Sequence, residues 1–177
     1  METIKNVRHL PLVLVLTAFF LFSCTGSAAA LATSFDSYDE SVVHQSLKTV
    51  SKWSSVDQYA FVKHIDKDGT ESYWLSITVD RALNIDDKAE ITIDGIVYKI
   101  DNNLDFINKY NRALLRNQSF AVYDLSDDLI DKIKNSQLSL SFKFYFTNRS
   151  PIVWHPDGHQ TKEIKDIIDL GRDVKRD

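Results

Sequence analysis

Leu138-Ser139-Leu140-Ser141-Phe142-Lys143-Phe144-Tyr145-Phe146 is the stretch that decides the fold. Every second residue is apolar, and Ser139, Ser141, Lys143 and Tyr145 fill the positions between. Side chains of a strand alternate between two faces, so this run reads as a strand with one buried and one wetter side. Glu71 to Asp80 repeats the pattern: Tyr73, Leu75, Ile77 and Val79 point one way, and Ser72, Trp74, Ser76 and Thr78 the other. Antiparallel sheets allow such one-sided burial, and the two apolar faces are expected to share one core.

Working outward, weaker strand signals cover Tyr59 to Ile65, Ala89 to Ile93, Ile96 to Ile100 and Ser119 to Leu125. Asp94-Gly95 between Ile93 and Ile96 predicts a type I′ hairpin, whose two central residues need positive φ. Asp66-Lys67-Asp68-Gly69-Thr70 predicts a longer Gly-containing hairpin loop. Helices are expected at four places. Val42, Val43, Leu47, Val50 and Trp53 approximate helical spacing in Glu40 to Trp53, and Leu104 to Arg116 reads as a second helix. Ser126, Asp127 and Asp128 open a third toward Ile133, with the hydroxyl as cap and the carboxylates at the positive end of the dipole. Ile164, Ile167 and Ile168 stripe a fourth, which stops at Gly171 before the charged tail from Arg172 to Asp177. The fold class is mainly β (α+β): an antiparallel β-sandwich or half-open barrel with peripheral helices.

The N-terminus reads as an export signal. Lys5 and Arg8 precede an apolar run from Leu10 to Phe22, which is too short to cross a bilayer alone. The run ends in Leu21-Phe22-Ser23-Cys24, and Cys24 is the one cysteine of the 177-residue chain. Three readings follow: lipidation at Cys24, ordinary signal cleavage after Ala32 in Ala30-Leu31-Ala32, or an uncleaved anchor from Leu10 to Ala32. The first leads. It divides the chain into a signal over 1–24, a flexible tether over 25–38 and a single β-rich domain over 39–177. The mature domain then has no disulfide and depends on its core.

A net charge of −4 supplies no basic surface for nucleic acid and no polybasic patch for anionic lipid. Five glycines form no phosphate-cradling loop, and no nucleophile elbow is present. The densest group of chemical side chains is Trp154-His155-Pro156-Asp157-Gly158-His159. Its first reading is a polar turn, because Pro-Asp-Gly is turn chemistry. Its second is a zinc or copper site using His155, Asp157 and His159. Asp66-x-Asp68-Gly69-x-Glu71 echoes a calcium loop without its later ligands and reads as a hairpin turn. Trp74 and Tyr145 stand at wetter strand positions, with Tyr59 and Tyr98 as neighbours, so an aromatic face for glycan or peptide is a third candidate.

Two resemblances accompany these readings. Residues 1–24 resemble a bacterial lipoprotein signal, with Leu21, Ser23 and Cys24 at the matching positions and Phe22 where a smaller residue is usual. Leu75 to Phe146 resembles the small β-sandwich domain named for invasion-associated locus B. The match rests on the Ile93-Asp94-Gly95 hairpin, the short helix at Leu129 to Ile133 and the strand Leu138-Ser139-Leu140-Ser141-Phe142; the cysteines often seen there are missing. The first implies an outer-membrane lipoprotein facing the periplasm, held by N-terminal lipid. The second implies a sandwich and carries no catalytic residue. The expected function is a non-catalytic interaction or structural role in the envelope, without cofactor, with an envelope protein or peptidoglycan as partner. A soluble periplasmic or secreted protein is the alternative.

Overall fold

The computed structural model describes residues 28–37, 39–52, 55–79, 81, 83–100, 103–111, 116–147 and 149–171. The lipobox-like segment with Cys24, Trp53 and the tail 172–177 lie outside them. In order the elements are β1 (Ala28–Asp36), β2 (Ser41–Lys52), β3 (Ser55–Ile65), β4 (Glu71–Val79), β5 (Ile85–Ile93), β6 (Ile96–Ile100), β7 (Asn103–Asn111), β8 (Arg116–Leu125), α1 (Asp127–Asn135), β9 (Leu140–Phe146), β10 (Arg149–Trp154) and α2 (Gly158–Asp169). They build two antiparallel sheets, β1-β2-β3-β4-β8-β7 and β10-β9-β5-β6.

One core joins the sheets. Tyr73, Leu75, Ile77 and Val79 of β4 pack in the same buried cluster as Leu140, Phe142, Phe144 and Phe146 of β9. Ile85, Ala89, Ile91 and Ile93 of β5 and Ala121, Tyr123 and Leu125 of β8 join it. The shared face expected from the two alternating runs is therefore present, except at its first residue. Leu138 is 87% exposed and lies before the strand. The carboxylate of Asp94 accepts the backbone N–H groups of Gln137, Leu138 and Ser139 at 2.7–3.0 Å, which holds this stretch off the ladder. Asp94 and Gly95 have φ of 50° and 84°, as the type I′ reading requires. The Asp66–Thr70 loop closes a hairpin between β3 and β4, with Gly69 at positive φ and Asp66 N bonded to Thr70 O at 2.9 Å.

Three sequence expectations are corrected. Glu40 to Trp53 holds strand β2, paired on both sides. Val42 and Val43 are both buried, yet they point to opposite faces of the sheet. A strand packed on both faces loses its alternation and imitates helical spacing. Leu104 to Arg116 holds most of β7 and the start of β8, which pair from Asn103↔Tyr123 to Asn111↔Arg116. Asn108 and Asn111 are poor helix formers, and the ladder with β8 decides the conformation. The expected tether over 25–38 contains β1, whose nine residues pair with β2 from Ala28↔Thr49 to Asp36↔Ser41. Small side chains do not prevent a strand, because the ladder is made by the backbone.

Both expected C-terminal helices form. α1 carries Asp127 and Asp128 in its first turn and buries Leu129, Ile130 and Ile133, but the Ser126 side chain makes no capping bond. α2 buries Ile164, Ile167 and Ile168 in the shared core and packs on β2 and β3, the part of the larger sheet that lies toward its β1 edge.

Candidate functional site

The histidine-rich segment is the joint between β10 and α2. Trp154 ends β10 and is buried, its ring 4.8 Å from Phe142 and 5.6 Å from Tyr59. Asp157 then caps the helix. Its carboxylate accepts Gln160 N–H at 2.9 Å, while the Gln160 side chain accepts Asp157 N–H at 3.2 Å. This reciprocal capping box satisfies donors that every helix N-terminus leaves open. His155 is exposed, and His159 turns along the helix, with Nδ1 3.3 Å from Glu163 Oε1. Among the described residues no group of three or more His, Cys, Asp or Glu side chains could hold a metal ion.

Trp74 and Tyr145 are not brought together. Each alternates with core residues of its own sheet, Trp74 between Tyr73 and Leu75 and Tyr145 between Phe144 and Phe146. The two sheets pack by their inner faces, so these rings point outward in opposite directions. Trp74 stacks on His64 at 5.3 Å and packs against Val43, Ala60 and Val62. Tyr145 lies under Lys143 Nζ, 4.8 Å from the ring centroid, on the face that also carries Glu90. A hydrogen bond from the Tyr145 hydroxyl, together with the charge and hydrogen bond of Lys143, holds the Glu90 carboxyl below its usual range. Tyr59 is a core residue stacked on Phe144 and Trp154, and Tyr98 stands under Lys132 Nζ. Four aromatics expected as one surface thus form no common face: Trp74 and Tyr145 lie outward on different sheets, and Tyr59 and Tyr98 belong to or pack on the core.

A polar cluster under the end of α2 is one the sequence reading missed. Lys63, 2% exposed, turns inward from β3 and donates to the Ile168 and Leu170 carbonyls at 2.9 and 2.8 Å. It also pairs with Glu71 Oε1 at 2.8 Å and stands 5.4 Å from the Tyr73 ring centroid. Next to it on β2, His44 Nε2 donates to the Gly171 carbonyl at 3.0 Å, which leaves Nδ1 to accept from Thr33 Oγ at 2.9 Å. Ser46 donates to Glu163 Oε2 at 3.1 Å. A helix leaves its last carbonyls without partners, and here a lysine and a histidine from the sheet supply the donors. Burial lowers the His44 pKa, the Gly171 bond raises it less, and the Lys63 charge lowers it further. Burial pushes Glu71 up, but the bonds from Lys63 and Tyr73 outweigh it and leave that carboxyl below its usual range. The signal was present in the alternation Tyr59, Phe61, Lys63, Ile65, which puts a cation at an inward position.

This geometry defines a mainly β protein of two facing antiparallel sheets with peripheral helices, in which a buried polar cluster grips a helix end. In comparisons with known proteins, no family model, curated protein or solved structure matches the chain. No helix among the described residues is long and apolar enough to cross a membrane.

Proposed function

We propose that the chain is an exported cell-envelope lipoprotein, lipidated at Cys24, whose β-domain acts by interaction rather than by catalysis. The observation that carries the choice of processing site is β1. Cleavage after Ala32 would cut through the middle of Ala28–Asp36 and remove half of a strand that pairs along its length with β2. Processing at Cys24 leaves β1 whole and separates it from the lipid by Thr25, Gly26 and Ser27 alone. Thr25 rather than aspartate after the cysteine fits sorting to the outer membrane, and the acyl chains of a mature lipoprotein exceed the two signals that stable anchoring needs. The non-catalytic part is supported by how the chemical side chains are used. Asp157 and Gln160 cap α2, Lys63 and His44 hold its other end, and Asp94 ties down the loop before β9.

Metabolic labelling with a radioactive fatty acid tests the reading. Label is expected on the wild-type protein and absent from Cys24→Ala, which should also leave the membrane fraction, while globomycin should accumulate the precursor. An unlabelled wild type with N-terminal sequence starting at Thr33 would overturn it and return the soluble periplasmic alternative.

A further inference from the structure

Among the described residues the two sheets present four edge strands, and three carry features that discourage pairing with another chain. β6 has five residues, Lys99 among them. β10 contains Arg149 and Pro151 and has a register shift, and β7 contains Asp105 and Lys109 and also shifts register. Lysine, proline, irregularity and shortness are the usual protections of an exposed edge. β1 has none of them. It runs for nine residues as Ala-Ala-Ala-Leu-Ala-Thr-Ser-Phe-Asp, in continuous register, with Asp36 as its single charge.

On the sheet's inner side β1 extends toward solvent, so Leu31 and Phe35 are 46% and 43% exposed. They share one face and stand two residues to either side of Thr33. That spacing has a symmetry. A two-fold axis requires that if residue i meets residue j, then j meets i. Antiparallel pairing of two β1 strands centred on Thr33 places Leu31 opposite Phe35 of the second copy, twice, and Thr33 opposite itself. Apolar cross-strand pairs of this kind are favourable units of sheet stabilisation. The charges agree as well: Asp36 falls opposite position 30 of the second copy, and the two aspartates stand about 20 Å apart at a rise of about 3.3 Å per residue.

We propose that β1 is a self-association edge, and that its partner is a second copy of this chain, paired antiparallel about Thr33 into one continuous twelve-stranded sheet. An interface built on one ladder belongs to the small class, below about 1,200 Å², so association is expected to be concentration-dependent.

Cysteine placement tests both the partner and the register. In the full chain carrying Cys24→Ser, any disulfide must come from an introduced cysteine. Thr33→Cys puts two cysteines directly opposite, with Cα atoms about 4.5–5.5 Å apart and within disulfide reach. Ser34→Cys puts them two residues out of register, about 8 Å apart and out of reach. Under mild oxidation Thr33→Cys is expected to form the linked dimer at least about ten times faster than Ser34→Cys. Sedimentation of the Cys24→Ser chain in detergent should show a concentration-dependent dimer. Leu31→Lys should abolish it with an unchanged thermal midpoint, because Leu31 is exposed. Equal cross-linking at the two positions, or association of Leu31→Lys like that of its parent, would overturn the proposal. A wild-type chain that stays monomeric while capturing an added extended peptide along β1 would assign the edge to another partner and overturn it equally.

Discussion

Between β4 and β9 the interior of the protein is apolar, whereas under the end of α2 the same six-stranded sheet turns inward a lysine, a histidine and a serine. The contrast follows from what lies opposite. A sheet satisfies its own backbone in its ladders, so β9 offers β4 only side chains, and Leu75, Ile77, Phe142 and Phe144 can pack without a polar partner. A helix terminus offers open carbonyls. Those of Ile168, Leu170 and Gly171 meet β2 and β3, and donors are needed there. The two regions therefore stabilise the fold by different physics, and three perturbations separate them.

The largest effect is expected in the apolar region. Phe142 is fully buried and packs on Trp154 at 4.8 Å. Phe142→Ala should cost about 3–5 kcal/mol through lost transfer energy and the cavity left behind. Such a loss is a large share of a typical domain's stability. Ser141→Ala, one residue along and facing outward, should change little. Urea titrations of both variants check this, and equal destabilisation would mean that the inner and outer faces of β9 have been misassigned.

A smaller but more localised effect is expected from Lys63→Ala. It removes the donor from two carbonyls at a buried position and leaves them without that partner, at a cost of roughly 1–3 kcal/mol. Glu71, the charge partner, is 41% exposed and can turn to water, which limits the loss. Hydrogen exchange distinguishes the two regions. Lys63→Ala should raise exchange mainly in the last turns of α2, whereas Phe142→Ala should raise it throughout the two sheets. Uniform acceleration in Lys63→Ala would show that the helix end and the core are one cooperative unit.

How much of this was legible in the sequence follows the same division. β4 and β9 declare themselves because one face of each carries apolar side chains and the other mostly polar ones, even where Ser76 and Thr78 of β4 are themselves buried. β2 conceals itself because both faces are packed, and a one-dimensional pattern cannot distinguish that from a helix. β7 is a strand only by virtue of β8, a contact that spacing within Leu104 to Arg116 does not encode. The segment from His155 to His159 looked like a turn or a metal site, yet Asp157 and Gln160 already had the three-residue separation of a capping box. Lys63 was legible as an inward cation, but its partners are 105 and 107 residues away, and no local pattern names them.

The smallest effect concerns acid. His44 is buried, and the groups facing it are Thr33 from β1, Lys63 from β3, Glu71 from β4 and the Gly171 carbonyl beyond α2. Burial and the Lys63 charge hold its pKa below the value of about 6.5 that it has in an unfolded chain. Below about pH 6.5 the unfolded chain therefore takes up a proton before the folded one, and stability contributed by neutral His44 falls as pH drops through the folded pKa. Glu71 and Asp94, both held below their usual carboxyl range, withdraw their own contributions only in more acidic solution, so the windows are separable. The measurement is the difference in unfolding free energy between pH 7 and pH 5 for wild type and His44→Gln. Glutamine keeps an N–H for the Gly171 carbonyl but does not titrate. The variant should be flatter over that interval, and the extra wild-type loss should appear as exchange at the end of α2. Parallel slopes would mean that the helix end tolerates a second positive charge beside Lys63.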